Sequence, residues 1–359
     1  MWRKKSAWLV LLGLAIFIKI FALFPDAVER YYASGIYPVI SKVQRILFGW
    51  LPFSVGDIFY ALVIIWLIYK LYHTFRRVIK RQTNKKYWLH ALLQTAFVVV
   101  VVYVSFNLLW GLNYNRRGVA YQLELNVQRY SKEDLVQVMQ QIVYRLNALD
   151  SASRVNREAI QRKRNLFDGA NSAYDQLARK EAAFTYSFRS VKPSLYSYLG
   201  NYLGYTGYYN PFSGEAQVNT TVPLFIQPFT TCHEIGHQLG YAKENEANFA
   251  GYLSAKSSKD ALFRYSVYFD LYSYSRYYLF AQDSMAAKKL DAQLPQGMKT
   301  DYRELRAFVK KYRNPIEAII DHLYGQYLKA NNQPSGKLSY NEVVAWLVAY
   351  YKKYGADAI

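Results

Sequence analysis

Apolar positions in this 359-residue chain follow two regimes. Up to about residue 112 they form long runs. Residues 6–24 are apolar apart from Lys19 and end at Pro25, residues 57–75 are apolar between Asp57 and Lys70, and residues 89–112 carry no charge and include Val98-Val99-Val100-Val101-Val102. Each run is close to the ~20 residues a helix needs to cross the hydrocarbon of a bilayer, so three spans are predicted, with Lys19 near enough to one end to snorkel. A cleaved leader is the rival reading of the first run, but no small-x-small site follows it, so the span is expected to stay. Between the first two runs, Val39 to Leu47 has the pattern of an amphipathic helix lying in the membrane interface.

Beyond Asn113 the runs give way to helical periodicity in a polar, tyrosine-rich sequence. Ser131-Lys132-Glu133-Asp134 opens a helix with a cap and an acidic first turn, continued by Leu135, Val138, Met139, Ile142 and Leu146 at helical spacing. Further helices are expected at 170–183, 260–280, 301–312, 314–328 and from a cap at Ser339 to about 351. The tract 200–214 holds too many breakers for a long helix. Residues 216–222 read as a short strand, either a purely structural edge or one that pairs with an extended peptide. The expected fold class is mainly α: a membrane domain at 1–112 with spans at about 6–24, 57–75 and 89–112, then an α-rich domain at 113–359 with a small β element.

The formal net charge of +20 first suggests nucleic acid or an anionic membrane surface. Residues 1–112 hold 14 Lys and Arg against 3 Asp and Glu, whereas the longer remainder holds 31 against 22, so the charge is densest beside the apolar runs. That distribution points to a lipid bilayer and not to nucleic acid. Arg3-Lys4-Lys5 and the segment from Arg76 to Lys86 are strongly basic, while the loop between Asp26 and Asp57 is nearly balanced. Basic loops stay in the cytoplasm. An N-terminus inside and three spans then put everything after Asn113 outside, as a multi-pass protein of the cytoplasmic (inner) membrane.

Candidate chemistry lies in Thr230-Thr231-Cys232-His233-Glu234-Ile235-Gly236-His237, which contains His-Glu-x-x-His. On a helix the imidazoles of His233 and His237 share one face, the spacing that lets both reach one Zn2+. Glu234 projects beside the metal, placed to take a proton from an attacking water. The chain has five histidines, so two of them framing a glutamate in this way is an improbable accident. Gly240 is a natural helix stop. A catalytic zinc takes three protein ligands, and Glu244 and Glu246 follow the turn on nearly opposite helix faces, so only one can face the metal. Glu244 shares its face with the small or polar Ala247, Asn248 and Gly251, which allow close helix approach; Glu246 shares its face with Phe249, Ala250 and Leu253 and reads as a partly exposed helix-start carboxylate. The facing argument favours Glu244, with Glu215 or His322 as fallbacks. Cys232, the single cysteine, excludes an intrachain disulfide and is expected to be a small buried thiol.

Trp110-Gly111-Leu112-Asn113-Tyr114, Asn210-Pro211-Phe212-Ser213-Gly214-Glu215-Ala216, the His233 to His237 motif with Glu244-Asn245-Glu246-Ala247-Asn248-Phe249, and Tyr327-Leu328-Lys329-Ala330-Asn331 with Ser339-Tyr340 together resemble a bacterial membrane protein family catalogued only as a domain of unknown function, with zincin character. Glu244 to Asn248 also resembles the Glu-x-x-Ala-(Asp/Asn) run that follows the motif in several zinc peptidase families. The resemblance implies a zincin-like domain with His233 and His237 as metal ligands and Glu234 as catalytic base. It implies no particular substrate.

These readings lead to a membrane-anchored zinc metallopeptidase acting on peptides or proteins outside the cytoplasm. The alternative is a non-catalytic zincin-fold binding or regulatory protein, against which the intact Glu234 weighs. Proteolysis inside the membrane is disfavoured because the motif lies far along the chain from any apolar run.

Overall fold

The computed structural model of the protein describes residues 2–333 and 340–359. The expected cap at Ser339 lies outside the described residues, as do the side chains of Arg3 and Lys4 in the basic lead. Helix α1 (Trp2–Phe21) is followed by a turn of 105° into a segment built of α2 (Pro25–Ala27), a π-helical stretch (Val28–Ile36) and α3 (Tyr37–Phe48). Helices α4 (Val55–Ile79) and α5 (Lys85–Leu109) are each 25 residues, long and apolar enough to cross a membrane. α1 ends at Phe21, short of the expected Phe24, and a third crossing follows only if the bent pair is one span. α5 also stops earlier than its apolar run, because Trp110 leaves helical geometry and Gly111–Asn115 forms a buried 3-10 turn.

The rest begins with α6 (Val119–Gln122), α7 (Lys132–Leu149) and α8 (Lys163–Ala178). Ser131 and Asp134 form the expected reciprocal cap on α7. α8 starts and ends earlier than anticipated, so that Leu166, Ala170, Ala173, Tyr174 and Leu177 make one buried stripe. A three-stranded sheet follows: β1 (Val191–Pro193), then α9 (Ser197–Leu203), β2 (Gly207–Asn210) and β3 (Glu215–Val218). The spatial order is β1-β3-β2, with β1 parallel to β3 (Val191 opposite Ala216) and β2 antiparallel to it (Asn210 opposite Glu215). The expected strand at 216–222 is therefore a shorter central strand, and the edges are β1 and β2. Helices α10 (Gln227–Gln238), α11 (Glu244–Ser257), α12 (Ala261–Gln282), α13 (Ser284–Ala292), α14 (Gln296–Tyr312), α15 (Pro315–Ala330) and α16 (Tyr340–Tyr354) complete the fold. α7, α8, α10, α11, α12 and α16 contribute to one apolar core.

A second apolar cluster joins the first third of the chain to the remainder. Ile18, Tyr32, Tyr37, Val104, Trp110 and Tyr114 are buried with Tyr209 and Ala242 around the expected division at 112 and 113. Polar contacts reinforce it. The first N–H groups of α4, which a helix leaves without partners, are met by Glu215, accepting from Val55 at 3.1 Å and Gly56 at 2.6 Å, and by Ser54, accepting from Asp57 at 3.0 Å. α3 uses its polar face in the same way at the other end of α10, where Tyr37 (2.8 Å) and Ser41 (3.0 Å) donate to the carbonyl of Gln238. Its apolar face, with Val39, Val43, Ile46 and Leu47, is left exposed, as an interfacial helix requires.

A buried ion pair closes the junction. Arg116 donates to Glu29 from Nε at 3.1 Å and from Nη2 at 2.8 Å, to the carbonyl of Gly240 at 3.1 Å, and lies over the ring of Tyr241. Burial disfavours the charged Glu29, yet the bonds from Arg116 outweigh it and hold the carboxyl below its ordinary range. Replacing Arg116 with Met should therefore strand a buried carboxylate and lower stability by about 3–5 kcal/mol. Arg117→Met, which breaks an exposed pair with Asp26, should leave stability unchanged within error. Denaturant unfolding in detergent would measure both, and an Arg116→Met protein as stable as wild type would show that the pair contributes nothing.

Candidate metal centre

The His-Glu-x-x-His segment is helical because nothing in α10 opposes it: Pro228 sits in the first turn, where its missing N–H costs nothing. Gly240 ends it in a left-handed conformation (φ 91°), with Gly240 N–H bonded to His237 and Tyr241 N–H to Gly236, the pairing of a Schellman turn. The turn folds the carbonyl of Tyr241 back to 2.8 Å from His237 Nδ1. That contact fixes Nδ1 as the protonated nitrogen and leaves Nε2 as a bare lone pair. The His237 carbonyl in turn accepts from Trp110 Nε1 at 3.0 Å.

α11 delivers Glu244 to the same point. Its carboxylate straddles the two imidazoles, 3.4 Å from His233 Nε2 and 3.6 Å from His237 Nε2. Donors bound at ~2.1 Å to one tetrahedral ion sit ~3.4 Å apart, close to the separation of Glu244 from each imidazole. The electrostatics agree. Burial disfavours a charged Glu244, but both imidazoles hold its carboxyl well below the ordinary range; burial likewise disfavours a charged His237, and Glu244 overrides this and raises it to about 8.

His233, Glu234 and His237 also form a group whose ligand atoms lie within 4.8 Å of one another and could hold a metal ion. Two carboxylates thus compete for the third position, and the one facing both Nε2 atoms is the better placed. Glu234 also adjoins the sheet: a Cβ on Gly207 of β2 would lie 2.6 Å from its Oε1, and its buried Oε2 has no hydrogen-bond partner. Burial raises its carboxyl to about 7. Glu234 therefore borders the gap between α10 and the edge strand.

Other candidates fall away from the site. Glu246 is buried, not partly exposed, wedged against Gly118 with Lys243 at 3.7 Å, and burial raises its carboxyl. Glu215 caps α4, His322 is exposed on α15, and Cys232 is a buried free thiol as expected. The structure adds residues that spacing along the chain does not reveal. Tyr324 of α15 donates to Glu244 Oε1, Trp110 packs edge-on to His237 with centroids 5.9 Å apart, and Asp270 of α12 lines the cavity with one buried oxygen unpartnered and its carboxyl raised to about 8 by burial. A lone acid within Phe263 to Tyr272, otherwise aromatic, apolar or neutral except Arg264, was the one readable signal for Asp270.

All of these face a cavity of about 1380 Å³. It opens on the His233, Glu234 and His237 group at one end and runs between α1, α4 and α5 at the other. The motif, far from any apolar run along the chain, is thus next to one in space.

A mainly helical protein with two membrane-length helices and a buried His/Glu/His group is the class these features define. The chain belongs to the family described as Protein of unknown function (DUF3810), whose family model matches residues 32–348. No curated protein and no solved structure matches it.

Glu244→Gln should lower the metal bound to the purified protein as far as His237→Ala does, while Glu246→Gln retains most of it. Elemental analysis of the three variants would decide, and equal retention in both glutamate variants would place the carboxylate ligand elsewhere.

Proposed function

We propose that the protein is a membrane-anchored zinc metallopeptidase with its active site outside the cytoplasm. The observation that carries this reading is the convergence of His233 Nε2, His237 Nε2 and the Glu244 carboxylate beside Glu234, whose buried Oε2 has no hydrogen-bond partner. His233, His237 and Glu244 would hold the Zn2+, which when bound supplies the Lewis acidity that makes water a nucleophile near neutral pH. Glu234 is the proton carrier. With its carboxyl raised to about 7 by burial, it can accept a proton from the attacking water and release it to the departing amine at ordinary pH.

Peptide binding has support in the sheet. β2 pairs with β3 on one side only, and Thr206, Gly207, Tyr208 and Tyr209 line the cavity. An extended peptide added to that free edge would be held through main-chain bonds. Gly207 is required there because any side chain would collide with Glu234. These features favour turnover over a purely binding role.

Helices α4 and α5 and the loop between them give the orientation. The start of α4 and the end of α5 both meet the metal-bearing domain, through Glu215 and His237. The loop between them, flanked by Arg76, Arg77, Lys80, Arg81, Lys85 and Lys86, therefore lies a helix length away, ~37 Å. Retention of that basic loop in the cytoplasm puts the domain outside. A reporter active only outside the cytoplasm should be active when fused after Ile359 and silent when fused at Thr83; the reverse pattern would place the domain inside.

Glu234→Gln separates binding from chemistry. The amide keeps the shape of the carboxyl but accepts no proton, so zinc content and fold should be retained while peptide hydrolysis falls about a hundredfold to ten-thousandfold. Wild-type turnover matched by the Gln variant would refute the mechanism whatever metal is found.

A further inference from the structure

The end of the cavity away from the metal is the feature the peptidase reading leaves unused. It is walled by Ile18 of α1, Val63 and Ile64 of α4, and Val98, Val99 and Val102 of α5. Val98 lies 12 residues before Trp110 and Ile64 lies 9 residues after Val55, so the cavity descends ~13–18 Å along the helices, about half the ~30 Å hydrocarbon thickness. Among the described lining residues of α1, α4 and α5, Lys19 carries the single charge. Higher up, Tyr103, Asn107 and Trp110 make the change from apolar wall to metal site. α1 packs along α5, whereas α4 meets α5 near their connecting loop, where the Thr74 and Tyr87 hydroxyls lie 3.1 Å apart and Arg77 lies over the Tyr87 ring; closer to the metal end the cavity separates the two helices.

We infer that this arm receives the membrane-embedded apolar segment of a polypeptide substrate, which enters sideways from the bilayer and presents its extracytoplasmic flank to the metal site. The inference rests on the peptidase reading and names its substrate class. Size supports a peptide segment. About five residues of helix, ~10 Å wide with side chains and ~7.5 Å long, occupy on the order of 600 Å³, under half of the 1380 Å³ cavity, whose remainder holds the metal end; a single acyl chain is far thinner. Connectivity supports it as well. The chain leaving the top of such a segment meets the free edge of β2, where Thr206 to Tyr209 line the same cavity, and main-chain pairing there accepts a peptide but has nothing to pair with in a lipid.

The test uses the full-length Glu234→Gln protein in phosphatidylethanolamine/phosphatidylglycerol vesicles, with one added cysteine at Val63 or Val99 in the arm, or at Leu71 or Leu92, exposed elsewhere on the same helices. The probe is a synthetic peptide with a 10-residue polar flank and a leucine-rich span of about 19 residues that carries one cysteine. Disulfide crosslinking to Val63→Cys and Val99→Cys should exceed that to Leu71→Cys and Leu92→Cys at least tenfold. The same flank bearing a palmitoyl chain should compete at least tenfold more weakly than the unlabelled span peptide. Equal yields at all four positions, equal competition by the palmitoylated flank, or crosslinking of Val99→Cys to a second copy of the protein would each overturn the inference. Hydrolysis is scored separately with Glu234 restored. Selective crosslinking without cleavage of any peptide would support the segment-binding arm while defeating the peptidase reading. Cleavage of the free flank as fast as the span probe, with uniform crosslinking, would do the opposite.

Discussion

The closeness of α10 and α11 is the constraint on which the site depends. A Cβ on Gly251 would stand 3.0 Å from the backbone nitrogen of His233, and one on Gly236 would stand 3.2 Å from the carbonyl of Ala247. Contacts that short are tighter than nine in ten real Cβ contacts, and here they are against backbone, so a larger residue makes the two helices give by a few tenths of an ångström. A carboxylate reaches two imidazoles from a second helix only if that helix is this near. The neighbouring residues hold the pair in place: Phe249, Ala250 and Ile235 are buried in the main core, and Tyr174 of α8 donates to the carbonyl of Cys232 at 2.7 Å. Interiors packed to this density transmit displacement instead of absorbing it.

Local rules made much of this legible. The i, i+4 histidines, the stop at Gly240, the Ser131 cap and the small-residue face that selects Glu244 are properties of single helices, and single helices have periods that a sequence displays. Contacts between distant segments have no period. Nothing along the chain announces that Trp110 supports His237, that Tyr324 reaches Glu244 from α15, or that β2 and not β3 is a sheet edge. Glu246 shows a subtler limit. Its face is turned from His233 and His237, and it meets Gly118 and lies in the field of Arg116, which arrive from more than a hundred residues earlier and bury it. For the same reason the amphipathic pattern of α3 gave an apolar face open to the outside without disclosing that Tyr37 and Ser41 would be spent on the end of α10.

The junction between the apolar helices and the domain that carries the His/Glu/His group is built from polar groups that no lipid could satisfy. Glu29 and Arg116, Glu215 with Ser54, and Asp57 with Leu195 N–H at 2.7 Å are each buried or nearly so. Unmet, such groups are expensive in a low-dielectric setting, so each depends on its partner from the other half of the molecule. Neither half has its polar groups satisfied without the other.

One of these contacts has a mechanical side. Glu215 is at once the anion at the start of α4 and the first residue of β3, and β3 holds in register the strand whose Gly207 lies against Glu234. A helix longer than the local hydrocarbon tilts to fit it. Tilting α4 pulls on Glu215, and through the sheet on the strand that frames the gap beside Glu234. A shift of α4 and a shift of that strand are thus one motion, because Glu215 belongs to both contacts.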